Sequence, residues 1–105
     1  MNPQFKKGIL ELCVLSVVSR KDYYGYELVE EISKVIEISE GTLYPILRRL
    51  TEEKCFETYL QESNEGPSRK YYKITKLGKE FCREQSKQWN EFNQQVGQLI
   101  DKDRR

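Results

Sequence analysis

Ile-Ser-Glu-Gly-Thr-Leu-Tyr-Pro-Ile-Leu-Arg-Arg-Leu-Thr-Glu-Glu, from Ile38 to Glu53, is the stretch around which the rest of the chain is read. Leu43, Ile46, Leu47 and Leu50 recur at helical spacing and share one face of a helix. Thr42, Tyr44, Pro45, Arg48 and Arg49 then point away from that face. Ser39 is a good N-cap residue. A short helix with a narrow apolar stripe does not fold alone, so it must dock on other elements. Its outer face offers a hydroxyl, a phenol and two guanidinium groups. Such a surface suits a DNA major groove, where Arg can fork onto guanine edges or phosphates. An ordinary surface helix with two solvated arginines has the same pattern, so both readings stand at this point. Pro45 resists both, because an interior proline costs about 3 kcal/mol. The cost falls if the regular helix begins near Gly41 or Thr42, placing Pro45 in its first turn.

The totals limit what this helix can belong to. The chain has 105 residues, the length of one domain. It is 37% hydrophobic and 33% charged, polar for a globular domain, so its core is small and oligomerisation is an expected remedy. Net charge is only +1, and nucleic-acid binding would have to come from local patches. No apolar run approaches the ~18 residues of a membrane span. Lys6 and Lys7 precede an apolar stretch, but Glu11 and the later pattern argue against a signal peptide, and a cytoplasmic location is expected. Cys13, Cys55 and Cys82 are odd in number and far apart, and the chain has no histidine. Structural zinc is therefore not expected, and neither is any other cofactor. Cys13 and Cys82 fit apolar helical patterns as small core residues; Cys55 is read as packing, with redox chemistry as its alternative. With no nucleophile motif, phosphate-binding glycine loop or metal spacing, an enzyme is not expected.

Upstream, Gly8–Ser19 is apolar almost all round, and its length favours a helix buried on most sides. Tyr23–Ile36 follows a polar break; Leu28, Ile32 and Val35 form a helical stripe there, widened by Val29 and Ile36. Gly25 near its start suggests a turn or a close approach. Tyr23, Tyr24 and Tyr26 are read as packing residues whose hydroxyls could also reach phosphates. Three successive helices, the third with the arginine pair, match a helix-turn-helix.

Downstream, Phe56, Thr58 and Leu60 alternate with Glu57, Tyr59 and Gln61 at strand period. Glu62–Pro67 is turn-rich, and Ser68–Ile74 is again strand-like, so the two runs make a hairpin, the wing of a winged helix. Arg69, Lys70, Lys73, Lys76 and Lys79 lie together with no acid among them. Beside an arginine-bearing helix this is a phosphate-contacting surface; standing alone it is a solubilising strand face. Thr75 fits as the cap of a last helix reaching about Ile100. There Cys82, Trp89 and Val96 are seven apart, as are Gln85, Phe92 and Leu99, giving a coiled-coil-like seam with Phe81 and Ile100 nearby. The small winged unit should close its own core, so this seam needs a partner, most simply a second copy. The tail Asp101–Arg105 is expected to fray. The expected fold is mainly α with a small β-hairpin: a winged helix-turn-helix over residues 1–76, then one long dimerisation helix and tail over 77–105.

Gly-Thr-Leu-Tyr-Pro-Ile-Leu-Arg-Arg-Leu (Gly41–Leu50), preceded by Tyr24–Leu28 and followed by Arg69-Lys-Tyr-Tyr-Lys-Ile-Thr-Lys-Leu-Gly to Gly78, resembles the PadR family of bacterial transcriptional regulators. The resemblance covers Gly8–Gly78 with its segments in order, and the last helix more loosely. It implies a winged helix-turn-helix homodimer that binds a palindromic double-stranded DNA operator and represses transcription. It implies that Thr42, Tyr44, Pro45 and Arg48 enter the groove, beside Arg49, that Arg69 and Lys70 belong to the wing, and that Tyr24 and Tyr26 lie near the DNA backbone. The single C-terminal helix is similar to that of the short subgroup. In multidrug-sensing members of that subgroup, a tryptophan of the last helix lines a flat apolar pore at the dimer interface. Trp89 stands at the matching place, among Cys82, Phe92, Val96 and Leu99, so a planar aromatic effector is implied; plain packing of the dimer seam is the other reading of Trp89. One departure is Cys55, where family members often have a glycine to end the helix left-handed. Cys55 must adopt that conformation at a cost or end the helix differently. A winged-helix module that binds protein and not DNA remains the alternative, opposed by the cluster Arg48, Arg49, Arg69 and Lys70.

Overall fold

The computed structural model describes residues 3–100. Helix α1 (Pro3–Val18) leads through a polar turn into a two-residue strand β1 (Tyr23–Tyr24), then α2 (Gly25–Ser33) and α3 (Glu40–Glu52). Strands β2 (Phe56–Ser63) and β3 (Gly66–Ile74) form a hairpin, and α4 (Lys76–Ile100) closes the described chain. The three strands pair antiparallel in the order β1-β3-β2. This is a winged helix-turn-helix with a long C-terminal helix. The reading of Asp101–Arg105 as a frayed tail lies outside the described residues.

One apolar cluster holds the helices and the base of the sheet together. Val14, Leu15 and Val18 of α1, Leu28 and Ile32 of α2, and Leu43, Leu47 and Leu50 of α3 are buried. Phe56, Tyr72 and Ile74 close it from the sheet. Each such side chain is worth about 1.5–3 kcal/mol of burial. Helix α4 lies along α1, where the Ser16 hydroxyl and the Cys82 thiol meet at 3.7 Å.

Four details differ from the sequence reading. Tyr23 and Tyr24 are not helical: they pair with Tyr72 and Tyr71 of β3, as aromatic residues on a pleated surface tend to do. Val35 leaves the apolar stripe and is 85% exposed, because α2 stops at Ser33. The chain then turns, the Ser33 hydroxyl donating to the Ile38 carbonyl at 3.3 Å, and Ile38 enters the core in its place. Helix α3 starts at Glu40, so Pro45 lies inside it. Ser39 sets that start: its hydroxyl accepts the Thr42 N–H at 3.3 Å, as the N-cap reading requires. Pro45 deprives the exposed Gly41 of an acceptor bond, on the solvent side where water can replace it. Finally, the alternation in β2 does not bury a face. Phe56 is buried, but Thr58 and Leu60 are exposed: β2 is the edge strand of the sheet, and Leu60 lies opposite Lys70 on the part of the hairpin that extends past β1.

The end of α3 answers the question raised by Cys55. Lys54, not Cys55, takes the left-handed conformation, with φ 68°. Its N–H bonds the Thr51 carbonyl at 3.0 Å, and the Cys55 N–H bonds the Leu50 carbonyl at 2.9 Å. That is a Schellman ending with lysine where glycine is easiest. Cys55 is left free to be extended and buried.

Thr75 then fastens α4 to this junction. Its N–H donates to the Cys55 carbonyl (2.9 Å) and its hydroxyl to the Lys54 carbonyl (2.7 Å), while the same hydroxyl accepts the Gly78 N–H (3.0 Å). Gly78 is required by close approach: an added Cβ would collide with the Cys55 carbonyl oxygen and come within 2.8 Å of Ile74 Cγ1.

Candidate DNA-binding surface

Helix α3 turns Leu43, Ile46, Leu47 and Leu50 inward, and this directs Gly41, Pro45, Arg48 and Glu52 outward. Arg48 is exposed at the centre of that face. Thr42 is exposed beside it, its hydroxyl 3.2 Å from that of Ser39. Tyr44 is 41% exposed, and the rest of its ring covers Gly25. A Cβ on Gly25 would stand 2.6 Å from the Tyr44 hydroxyl oxygen, so glycine there lets α2 and α3 approach. Arg49 lies on the flank of the helix and ion-pairs with Glu11 of α1. The arginine pair is thus divided: Arg48 faces outward, while Arg49 ties α3 to α1.

The wing divides its cations in the same way. Alternate residues of a strand face opposite sides. Lys70 lies with Tyr72, its Nζ 5.8 Å from the ring centre, on the side that looks toward α3. Tyr44, Pro45, Arg48, Lys70 and Tyr72 line one groove between α3 and the hairpin, with Glu40 and Glu52 also on its walls. Arg69 lies on the other side, its guanidinium 4.7 Å above the Tyr24 ring. Burial, and then Glu40, pushes the Tyr44 phenol above its ordinary pKa; burial, and then Tyr44, does the same for Tyr72. Both stay neutral hydroxyls that can donate to phosphate or base oxygens. The groove offers forked and point cations, phenols and carboxylates, which suits mixed contact with a nucleic-acid backbone and base edges.

Of the three tyrosines near α2, Tyr23 is buried, Tyr24 is half-buried as the residue before the helix, and Tyr26 is exposed in its first turn. Sequence reasoning missed two residues here. Tyr59 and Tyr71 stand in one row with Tyr24 across the sheet, Tyr59 and Tyr71 stacked at 5.4 Å and Tyr71 edge-on to Tyr24 at 5.5 Å. The Tyr59 hydroxyl donates to Asp22 Oδ2 at 2.7 Å, and this bond is the leading cause that raises its pKa to about 12. Strand periodicity placed Tyr59 on the outward side but could not reveal a partner 37 residues away.

At the other end, Cys82, Trp89 and Val96 of α4 are half-buried, whereas Phe92 is 54% and Leu99 78% exposed. The two heptad rows of the seam are therefore distinct: one leans back on the chain itself and one is open. Beside Trp89 is a pocket of about 380 Å³ walled by Cys13, Val17, Ile32 and Ile36. Burial raises the Cys55 thiol, with Glu53 adding to the rise and Arg49 opposing it, so Cys55 lacks the lowered pKa of a reactive thiolate.

Comparison with known proteins agrees with this geometry. A PadR-like transcriptional regulator from Bacillus cereus is 40% identical and superposes with a TM-score of 0.83 over 92% of this chain and 96% of its own. A PadR-like transcription factor from Bacteroides fragilis is 34% identical, with a TM-score of 0.80 over 92% and 95% of the two chains. An uncharacterised protein of Lysinibacillus sphaericus is 38% identical over 90% of this chain and 87% of its own length. The transcriptional regulator YqjI of Escherichia coli is 31% identical over 92% of this chain, which spans only 43% of that longer protein. The PadR-like family of transcriptional regulators matches residues 14–84, and the chain belongs to that family, whose members are regulators and not enzymes.

Proposed function

We propose that this regulator acts in the cytoplasm as a homodimeric repressor on a palindromic operator, with its DNA affinity tuned by a planar aromatic molecule held near Trp89. The observation that carries the DNA half of this reading is the groove that Arg48 and Lys70 line together with Tyr44 and Pro45. Thr42, exposed on the same helix, and Tyr24, Tyr26 and Arg69, which lie outside the groove, serve as further contacts, and Arg49 contributes indirectly by holding α3 on α1. Residues 1–76 serve as the DNA-binding unit and 77–105 as the dimerisation helix and tail. Phe92 and Leu99 support that division: burying two such side chains against a second copy contributes about 1.5–3 kcal/mol each. Trp89 supports the effector, because its ring borders a pocket with apolar walls at Cys13, Val17, Ile32 and Ile36 and charged groups at Arg20 and Glu31, which a flat ligand could enter. A molecule wedged there would favour one spacing of the two DNA-reading helices over another.

The test is a salt-dependent titration of labelled duplex, on protein sized by light scattering. Wild type should bind with affinity falling steeply as salt rises. Arg48→Ala should lose about 1–3 kcal/mol of binding. Arg49→Ala should lose less binding and lower the unfolding midpoint instead. Titrating Trp89 fluorescence with planar aromatic compounds should give saturable quenching. No duplex binding at low salt would favour the protein-binding alternative, and an unresponsive Trp89 would leave it as packing.

A further inference from the structure

Strand β1 has only two residues, and both pair with β3 at Tyr72 and Tyr71. Beyond that rung, toward the tip, β3 has β2 alone as its neighbour. The wing is therefore three-stranded at its base and a two-stranded ribbon beyond it, further loosened by a register shift between Gln61 and Ser63. Two-stranded ribbons are marginal in water. Of the β3 cations, Arg69 and Lys70 lie on the ribbon side of this change and Lys73 on the base side.

A row of side chains crosses the sheet at the last three-stranded rung. Tyr24, Tyr71 and Tyr59 are partners in register on β1, β3 and β2. The rings of Tyr59 and Tyr71 are nearly parallel, 9° apart. Tyr59 reaches past Tyr71 to donate its hydroxyl to Asp22, in the turn just before β1. One edge of the sheet is thereby tied to the other. Arg69, two residues toward the tip from Tyr71 and so on the same side, rests on Tyr24.

We propose that Tyr59 and Asp22 form a strap, closed over Tyr71, that fixes the stance of the wing and so positions Arg69 and Lys70 for DNA. Neither residue touches the groove; both act through the ribbon they hold. A ribbon free to swing must be ordered when DNA binds, and that ordering lowers affinity. The strap does the ordering beforehand. This proposal rests on the DNA-binding reading above.

The experiment uses the full chain and a fluorescein-labelled duplex that wild type selects from a random-sequence pool, read by anisotropy over a range of salt. Tyr59→Phe keeps the ring stack and removes only the donor, so it should fold normally and bind about three- to tenfold more weakly, the effect of one hydrogen bond. Asp22→Ala should do the same, and the double variant should be no weaker than either single one. Asp22→Asn keeps a carbonyl acceptor and should bind like wild type. Trypsin should cut after Arg69 and Lys70 faster in Tyr59→Phe, identified by mass spectrometry. If Asp22 acted only by repelling DNA, both Asp22 variants would bind more tightly, which would overturn the strap. Wild-type affinity and salt slope in Tyr59→Phe and Asp22→Ala would overturn it too, as would losses that simply add. Arg48→Ala reports on the DNA reading separately: weakened binding there, with unchanged strap variants, rejects the strap alone. A wild type that selects no duplex rejects both.

Discussion

Leu47 of α3 and Leu60 of the wing are the same residue type, one fully buried and the other 72% exposed. They mark two ways of presenting charge to a partner. Helix α3 is seated by four buried side chains, a side-chain cap at Ser39 and the Arg49–Glu11 ion pair, so Arg48 inherits the rigidity of the core. The wing has almost no core of its own past Phe56 and Tyr72. Past that point it is held by the β2–β3 ladder, a row of tyrosines and one side-chain hydrogen bond to Asp22. A groove lined by both therefore has one fixed wall and one wall whose position depends on a few exposed contacts.

The sharpest way to break that contrast is to truncate both leucines. Leu47→Ala should cost about 2–5 kcal/mol in denaturant unfolding, the usual result of a core cavity. Leu60→Ala should stay within about 0.5 kcal/mol, as exposed substitutions do. Equal losses would mean that the hairpin is packed in solution in a way the fold does not display. A middle-sized effect is expected at the contact between α2 and α3. Gly25→Ala pushes a methyl group into the Tyr44 ring, and overpacking of this kind costs about 1–3 kcal/mol. Since only the far end of one side chain is in the way, adding Tyr44→Ala should recover much of that loss in thermal melts. The smallest effect concerns the exit from α3. Lys54→Gly at φ 68° relieves about 1–2 kcal/mol of left-handed strain against about 0.5–1 kcal/mol of added chain entropy, so the unfolding free energy should rise by about 0.5–1 kcal/mol, measurable as a shift in denaturant midpoint at constant slope.

The same contrast governs what could be read in the sequence. Leu43, Ile46, Leu47 and Leu50 announce α3 because a helix writes its buried face at a fixed local period, and Ser39 announces its start. Thr75 likewise announces α4. What escaped is non-local or exceptional. Tyr23 and Tyr24 are two residues long as a strand, too short for any period, and owe their state to β3 nearly fifty residues later. Val35 continued the stripe on paper, but the helix ended before it. Pro45 argued for a late start that the Ser39 cap overrode. Arg48 and Arg49 are adjacent in sequence and equal in charge; only the placement of Glu11 on α1 separates their roles. Arg69 and Lys70 are separated by pleat alone, which the strand period implied but a count of basic residues hid.

The junction of Thr75 and Gly78 with the Lys54 and Cys55 carbonyls has a consequence for anyone building chimaeras. It sets the angular phase of α4 as well as its starting point. Inserting one residue just after Gly78 would turn everything beyond it by about 100° and advance it by about 1.5 Å. Trp89 would then rotate off α1, and the row of Phe92 and Leu99 would face a new direction. Inserting seven would bring the phase back to within about 20° while lengthening the helix by two turns. Insertions after Gly78 should therefore be accepted where they restore the phase to within about 20°, as about seven, eleven or eighteen residues do, and rejected where they do not.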